Sequence, residues 1–186
     1  MPRREGRFAK WFGLKMLKLM GWKVAGEIPD IKKCMIAVAP HTSNWDFVVA
    51  MLALMAVDVK ANWMMKKEAF FWPFKGLFMS LGGMPTDRSA PGGVVGQIAE
   101  EYSKRESLWV GITPEGTRSK VEKWKTGFLR IAHEADVPVL LAGWDFPSKT
   151  MKFGKLFYPT GDHEKDINEI YQYFAENFTG KNPELF

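Results

Sequence analysis

The 186-residue sequence has one cysteine, three histidines and no apolar run long enough to cross a bilayer. A single cysteine excludes an internal disulfide, and Cys34 lies inside the apolar segment CMIAVA. We therefore predict a buried, inert thiol in a reducing compartment, which favours the cytosol. The longest uncharged apolar run, FVVAMLALMAV, ends at Val57, short of the ~20 residues that a spanning helix needs. We expect no transmembrane span.

The amino-terminal segment, MPRREGRFAKWFGLKMLKLM, mixes basic and apolar residues. Lys15 and Lys18 interrupt what would be the apolar region of a signal peptide, so we predict no export signal. Phe8 and Phe12 begin a set of apolar residues at helical steps, which predicts an amphipathic helix over residues 7–20. This helix either packs on its own domain or lies at a lipid interface, and one face for each is also compatible with the pattern.

Composition and charge limit the classes of protein to which the chain can belong. Hydrophobic residues make up 46% of it, enough for a core, so we predict a single domain over residues 1–186. The net charge of +5 suits phosphates or anionic lipid surfaces. The basic residues are scattered and no recognition motif for nucleic acid is present, which argues against a nucleic-acid partner.

Short apolar runs alternate with helical patterns along the chain. The runs CMIAVAP, VDVKANWMM, LWVGIT and VPVLLAGW predict strands, the second of them weakly, and helices are predicted over residues 45–57, 91–104, 126–135 and 165–178. Strands separated by helices are typical of a layered α/β domain. We predict a central, largely parallel mixed sheet flanked by helices.

The segment APHTSNWDF sets His41 and Asp46 five positions apart, between a predicted strand and a predicted helix. Ligands of open α/β sheets bind beyond the carboxyl ends of strands. From the first helical turn, the Asp46 carboxylate can accept the ring N–H of His41 and fix its tautomer. A structural histidine matches this spacing equally well, and a metal site would still need further ligands.

Two other segments place an arginine just after a short apolar step. GITPEGTRS follows the strand LWV and contains Arg118 beside a glycine-bearing turn, and LGGMPTDRSA contains Arg88. A guanidinium next to such a turn can hold a phosphate through a bidentate fork, with backbone N–H groups assisting. Each arginine alone is more often a solvated surface residue, but together with the His-Asp pair they indicate a site.

Taken in order, these segments resemble the sequence blocks of a known family. HTSNWD is similar to the HX4D block of the glycerolipid acyltransferases of the 1-acyl-glycerol-3-phosphate (lysophosphatidic acid) acyltransferase type, and PEGTRS is similar to their Glu-Gly-Thr-Arg-Ser block. GGMPTDR and VPVLLAGW resemble the second and fourth blocks, which are weaker patterns. The four blocks cover residues 40–144.

The resemblance implies a role for each matching residue. His41 becomes the general base and Asp46 the residue that orients it. Lys66 or Lys67 resembles a basic residue that follows the first block in many members. The implied substrate-binding residues are Lys66, Arg88, Glu115, Gly116, Thr117 and Arg118.

The activity that follows is transfer of an acyl group from an acyl thioester, acyl-CoA or acyl-carrier protein, to the hydroxyl of a lysophospholipid. The thioester is a co-substrate, and neither a bound cofactor nor a metal is expected. We also expect peripheral attachment to the cytoplasmic face of a membrane, with the basic, amphipathic helix of residues 7–20 as the membrane-associating element and anionic lipids as partners.

Two alternatives remain open. The acceptor is another lipid, such as a lyso-aminolipid, or the protein is a non-catalytic peripheral lipid-binding module whose His-Asp pair is structural. Esterase chemistry in its common form is disfavoured because no GxSxG motif is present. The aromatic segment FFWPFKGLFMSLGGM, residues 70–84, is interpreted as a core helix and strand, with a groove for the acyl chain or contact with the bilayer as the other possibilities.

Overall fold

The computed structural model describes residues 1–87 and 93–186, with residues 65, 66 and 69 described by their backbone alone. In chain order its helices and strands are α1 (Arg7–Leu19), β1 (Lys23–Gly26), β2 (Lys33–Ala39), α2 (Asn44–Ala56), β3 (Asn62–Lys66), α3 (Phe74–Ser80), β4 (Gly83–Thr86), α4 (Gly93–Lys104), β5 (Leu108–Ile112), α5 (Gly127–Glu134), β6 (Val139–Asp145), β7 (Thr150–Phe157) and α6 (His163–Asn177). Short 3-10 turns follow β3 (Lys67–Ala69) and α6 (Pro183–Leu185).

The strands form one seven-stranded sheet in the order β1-β7-β6-β2-β5-β3-β4. Neighbouring strands are parallel except for β6 and β7, which pair antiparallel. The predicted α/β class with a largely parallel mixed sheet is therefore confirmed. The strand order also places the carboxyl ends of β2, β5, β3 and β4 side by side along one edge of the sheet.

Alternate residues of β2 contribute to two separate cores. Met35 and Ala37 pack with residues of α4, α5 and α6 on one face of the sheet, whereas Cys34 and Ile36 pack with residues of α1 and α2 on the other. A strand buried on both faces is a nearly continuous apolar run. This explains why the segment CMIAVA is apolar at every position.

The thiol of Cys34 is fully buried within the second of these cores. Burial raises its pKa to about 12, because the thiolate is poorly solvated there. The thiol is protonated at neutral pH, as an inert cysteine requires.

The helix α1 packs on the domain through a narrower face than its apolar pattern predicts. Its buried residues are Gly13 and Leu17, and a Cβ at Gly13 would lie 2.7 Å from the Leu52 carbonyl oxygen of α2. Phe8 and Phe12, which define the predicted stripe, are exposed. The absence of a side chain at position 13 allows the close contact between α1 and α2. The largest side chains of α1 therefore lie on the helix face that points away from α2.

Residues 70–84 do form a helix and a strand, but the interpretation of the helix as core is wrong. The helix α3 has no buried residue, and Trp72 just before it is 89% exposed. Met84 of β4 is buried, so only the strand belongs to the core. The aromatic side chains of this segment pack mainly against one another, as in the edge-to-face pair Phe71–Phe74 with ring centroids 5.6 Å apart.

The other predicted elements are found with small shifts, and the strands β1 and β7 are additional. The helices predicted over residues 45–57, 126–135 and 165–178 are α2, α5 and α6, and α4 accounts for residues 93–104 of the fourth. The strands β1, β4 and β7 form the two edges of the sheet and its antiparallel partner. Among the described residues, no helix is both long and apolar enough to cross a membrane.

Candidate functional site

The segments singled out in the sequence follow strands that are neighbours in the sheet. His41 comes two residues after β2, and Glu115 three residues after its partner β5. Lys66 is the last residue of β3, and its side chain lies outside the described part. Arg88 itself lies outside the described residues, two positions after the end of β4.

The structure brings the imidazole of His41 against the carboxylate of Asp46. His41 Nδ1 lies 3.1 Å from Asp46 Oδ2, and the Asp46 side chain has no exposed surface while that of His41 is 21% exposed. Because an ionised carboxylate can only accept a hydrogen bond, Nδ1 carries the ring proton and donates the hydrogen bond to Asp46 Oδ2. The lone pair of the neutral ring is therefore on Nε2.

The loop folds this way because Asp46 serves as a local acceptor for its backbone. Ser43 is the N-cap of α2 and Asp46 its third residue, the position from which a side chain reaches back to the N-cap backbone. Asp46 Oδ2 accepts the N–H groups of Thr42 and Ser43, each at 2.7 Å, and Oδ1 accepts the Ser43 hydroxyl at 2.8 Å. The carboxylate that meets His41 is thus fixed by three further bonds.

Glu115 connects the loop after β5 to His41. Its Oε1 accepts the backbone N–H of His41 at 2.8 Å, and the residue is only 6% exposed. Burial raises the pKa of Glu115 to about 7, although the hydrogen bond from the His41 backbone N–H favours the ionised form and lowers it in part. Among the described residues Oε2 has no hydrogen-bond partner. Glu115, which the resemblance assigns to the acceptor site, therefore also positions the backbone of His41, the predicted general base.

The remainder of the PEGTRS segment forms an exposed turn. Gly116 has φ of +65°, a conformation that favours glycine, and its N–H donates to the Thr113 carbonyl at 3.0 Å. Thr117 and Arg118 are exposed. The guanidinium of Arg118 donates to the side-chain oxygen of Asn44, the first residue of α2, so it lies beside the loop that carries His41.

Asn182 supports the His41 loop from the far end of the sequence. Its backbone N–H donates to Thr42 Oγ1 at 3.2 Å and its amide to the Thr42 carbonyl at 2.9 Å. The sequence analysis missed this residue, because nothing in its neighbourhood indicates a contact across 140 positions. It holds the loop in place through Thr42.

A cavity of about 630 Å³ opens at His41, within the usual range for sites that bind small molecules. One part lies between α2 and the sheet and is lined by apolar side chains: Ile36, Val38, Met51, Leu54, Met151 and Phe153. The lining also includes polar residues, among them Thr113 and Lys125. No residue of the segment 70–84 lines this cavity; Met79 and Met84 line a second, smaller pocket, and a groove for an acyl chain in that segment stays a prediction.

Lys125 is a second residue that the sequence analysis missed. It is one of three lysines in the segment SKVEKWK, and composition does not distinguish it from Lys120 and Lys123.

Over residues 1–87 and 93–186, no three histidine, cysteine, aspartate or glutamate side chains come together in a way that suits a metal ion.

Comparison with known proteins identifies one family. The family model for acyltransferases matches residues 23–141, more than half of the chain. The chain is also similar to the crystal structure of the 1-acyl-sn-glycerophosphate (LPA) acyltransferase PlsC from Thermotoga maritima, with a TM-score of 0.63 and 19% identity over 91% of this chain and 78% of that one. At this identity the likeness shows a common fold. None of the curated proteins matches the chain.

Proposed function

This chain belongs to the acyltransferase family, and from that premise we propose that it moves a fatty acyl group from an acyl thioester to the hydroxyl of a lysophospholipid. The donor is acyl-CoA or an acyl-carrier protein, and the acceptor is 1-acyl-glycerol-3-phosphate. The observation that carries this proposal is the His41–Asp46 pair, 3.1 Å apart, at the opening of a largely apolar cavity.

His41 is the general base in the proposed reaction. Nε2 accepts the proton of the acceptor hydroxyl as its oxygen attacks the thioester carbonyl, the new C–O bond forms, and the C–S bond breaks. The thiolate leaves and takes the proton from the imidazolium. General base catalysis of this kind contributes ~10²- to 10⁴-fold, and the buried Asp46 carboxylate stabilises the imidazolium that forms.

Direct transfer is favoured over an acyl-enzyme. A covalent route needs a nucleophile in hydrogen-bond contact with the base. Ser43, the serine closest to His41 in sequence, donates its hydroxyl to Asp46 Oδ1, and Cys34 is a buried thiol with a raised pKa. Neither side chain is arranged to be activated by His41.

Basic residues near the cavity favour a phosphate-bearing acceptor. Arg118 lies beside the first residue of α2, close enough in the fold to contribute positive charge near His41. Lys66 and Arg88 are proposed as further phosphate ligands on the strength of their positions in the sequence. Holding the phosphate would place the hydroxyl near Nε2, which accelerates the reaction by orientation. The name of the similar structure, a 1-acyl-sn-glycerophosphate acyltransferase, supports the same acceptor.

The apolar part of the cavity suits the fatty acyl chain of the donor. Its walls are formed by β2, α2 and β7, with Met51 and Phe153 among the lining side chains. Burial of apolar surface gives roughly 25 cal/mol per Å², so a long chain can be held without specific polar contacts. We propose that the acyl chain lies there with its thioester carbonyl at His41.

Exposed aromatic residues on α1 and α3 support peripheral attachment to a membrane. On α1, Phe8 is 74% exposed and packs on the ring of Trp11, with centroids 5.9 Å apart. Basic residues such as Lys10 are on the same helix. A helix with exposed rings and basic charge suits the interface of an anionic membrane, where the lipid acceptor is found.

The proposed function is tested by mixing purified protein with acyl-CoA or acyl-carrier protein and a panel of lysolipids, and following release of free thiol. We expect thiol release that requires 1-acyl-glycerol-3-phosphate, with the diacyl product identified by mass spectrometry. Release with another lysolipid alone would identify a different acceptor. Vesicle binding without any thiol release would show a lipid-binding protein instead.

A further inference from the structure

Lys125 is one of the residues that line the cavity at His41. Among the described residues that line this cavity, it is the only lysine or arginine. Arg118, the predicted phosphate ligand of the neighbouring turn, is not part of the lining. The Lys125 side chain is exposed to solvent but also lines this largely apolar cavity, so its charge is available to an anionic ligand bound there.

The turn at Gly116 leaves the space in which the Lys125 side chain lies. The Lys125 N–H donates to the Pro114 carbonyl at 3.0 Å, which brings the two ends of the loop together. A Cβ at Gly116 would lie 2.7 Å from Lys125 Nζ and 3.0 Å from its Cε. Any larger residue at position 116 would displace the lysine. Gly116 is therefore required both for the backbone turn and for the position of the Lys125 side chain.

The ammonium of Lys125 forms no ion pair with a carboxylate in the described part of the chain. Lys67, another basic residue near the strand ends, has Asp87 Oδ2 2.5 Å from its Nζ. Lys125 is instead oriented by backbone and by the space at Gly116. An ammonium in this position, without a counter-charge, suits an anionic ligand.

We propose that Lys125 binds the phosphate of the acceptor and holds its hydroxyl at His41, an assignment that rests on the proposed function. Glu115 accepts the His41 backbone N–H, and Lys125 lies across the next residue, Gly116. The lysine and the base are therefore linked through two residues, Glu115 and Gly116. In a glycerol 3-phosphate ester, the phosphate and the free hydroxyl are on adjacent carbons, which matches such closeness. The phosphates of coenzyme A are separated from the thioester by the whole pantetheine arm.

Steady-state kinetics of Lys125→Met, Lys125→Arg and the control Lys123→Met test this role. Met keeps the length of the side chain without its charge, and Lys123 is an exposed lysine two positions away. We expect Lys125→Met to raise KM for 1-acyl-glycerol-3-phosphate at least about tenfold and KM for acyl-CoA less than about threefold. Lys125→Arg should stay within about threefold of wild type, Lys123→Met should match it, and all thermal midpoints should agree within a few degrees.

Calorimetric titration with 1-hexanoylglycerol 3-phosphate and with neutral 1-hexanoylglycerol provides a readout independent of turnover. Lys125→Met should weaken binding of the phosphate ester at least about tenfold and leave that of the neutral ester unchanged. An unchanged KM for the acceptor, a rise in KM for acyl-CoA alone, or equal binding of the phosphate ester to wild type and variant would overturn the proposal. If wild type transfers no acyl group, the proposed function fails, and the titration still shows whether Lys125 binds the phosphate ester. If the phosphate ester does not bind to wild type, the role of Lys125 is overturned as well.

Discussion

Two loops that follow neighbouring parallel strands are built in different ways. In the loop after β2, Asp46 is fully buried and accepts three hydrogen bonds besides that of His41. In the loop after β5, Thr117 and Arg118 are exposed, and the buried residues are Pro114 and Glu115. Hydrogen bonds within the protein fix the side chains of the first loop, whereas the second loop exposes positively charged side chains to the solvent.

The difference matches two kinds of task. A general base must be held close to its productive geometry, because small misplacement is costly in rate. A residue that recognises an anion needs charge and access more than rigidity. Substitutions in the first loop should therefore act on turnover, and those in the second on substrate affinity.

The largest effect is expected from His41→Ala. Removing the base should lower turnover by at least ~100-fold, while the thermal midpoint stays within a few degrees because the ring is partly exposed. The measurement is thiol release at saturating substrates, together with a melting curve. Turnover close to that of wild type would remove His41 from the mechanism and with it the contrast between the loops.

Asp46→Asn should reduce both turnover and stability. The amide weakens four hydrogen bonds at a buried site, a change we expect to cost about 1–3 kcal/mol in unfolding free energy, and it favours the wrong tautomer of His41. Asp166→Asn is the matched control: Asp166 is also buried near a helix start and accepts the N–H and hydroxyl of Thr160 at 2.8 and 2.7 Å. The control should lose stability but retain turnover, and equal turnover in both variants would show that Asp46 is structural only.

The pattern of the sequence predicts the parts of the fold that local periodicity encodes. The strand CMIAVA is a continuous apolar run and the helix α6 has a strong apolar period, and both elements are present. The His41–Asp46 contact is also predictable, since both residues belong to one loop and the first turn of a helix. Glu115 has no such local signal, because its bond to the His41 N–H joins two loops that only the sheet order brings together.

The features that were missed depend on tertiary context. The strand β7, TMKFGKLF, contains two lysines, so its apolar pattern is weak, yet its pairing with β6 and β1 makes it a strand. The exposure of α3 cannot be predicted from its composition, because a buried apolar helix and an exposed apolar helix have the same sequence pattern. The position of Lys125 follows from the turn at Gly116 and not from its own neighbours in sequence.

Glu115 is the buried carboxyl group of the second loop, and it should make stability depend on pH. Its folded pKa of about 7 is above its ordinary value of 4.5, so folding penalises its ionised form. The unfolding free energy of wild type should fall relative to that of Glu115→Gln as pH rises from about 4.5 to 7, by up to about 3 kcal/mol. Denaturation of both proteins at pH 5 and pH 8 measures this difference, and identical pH dependence would show that Glu115 is not buried as an acid.

Arg118→Ala should have a smaller effect, confined to acceptor affinity. The arginine is exposed and already bonded to Asn44, and exposed charges contribute little. We expect KM for the acceptor to rise about three- to tenfold and turnover to change less than about twofold. A drop in turnover of the size expected for His41→Ala would show that the two loops do not divide binding from chemistry.

The smallest effect is expected at the membrane, where α1 and α3 can be compared in the same way. Removal of the whole of α1 would also remove the buried Leu17, so the informative variant is Phe8→Ser with Trp11→Ser, which leaves the packed face intact. Tyr158→Ser is the control, since it changes an aromatic residue that is 68% exposed outside both helices. Sedimentation with phosphatidylglycerol vesicles should fall several-fold for the α1 variant, and the remaining binding should weaken with salt, because each basic residue near the surface contributes only ~1 kcal/mol and is screened. If the α1 variant sediments like wild type and Trp72→Ser does not, the lipid contact is made by α3, and α1 serves only to cover α2.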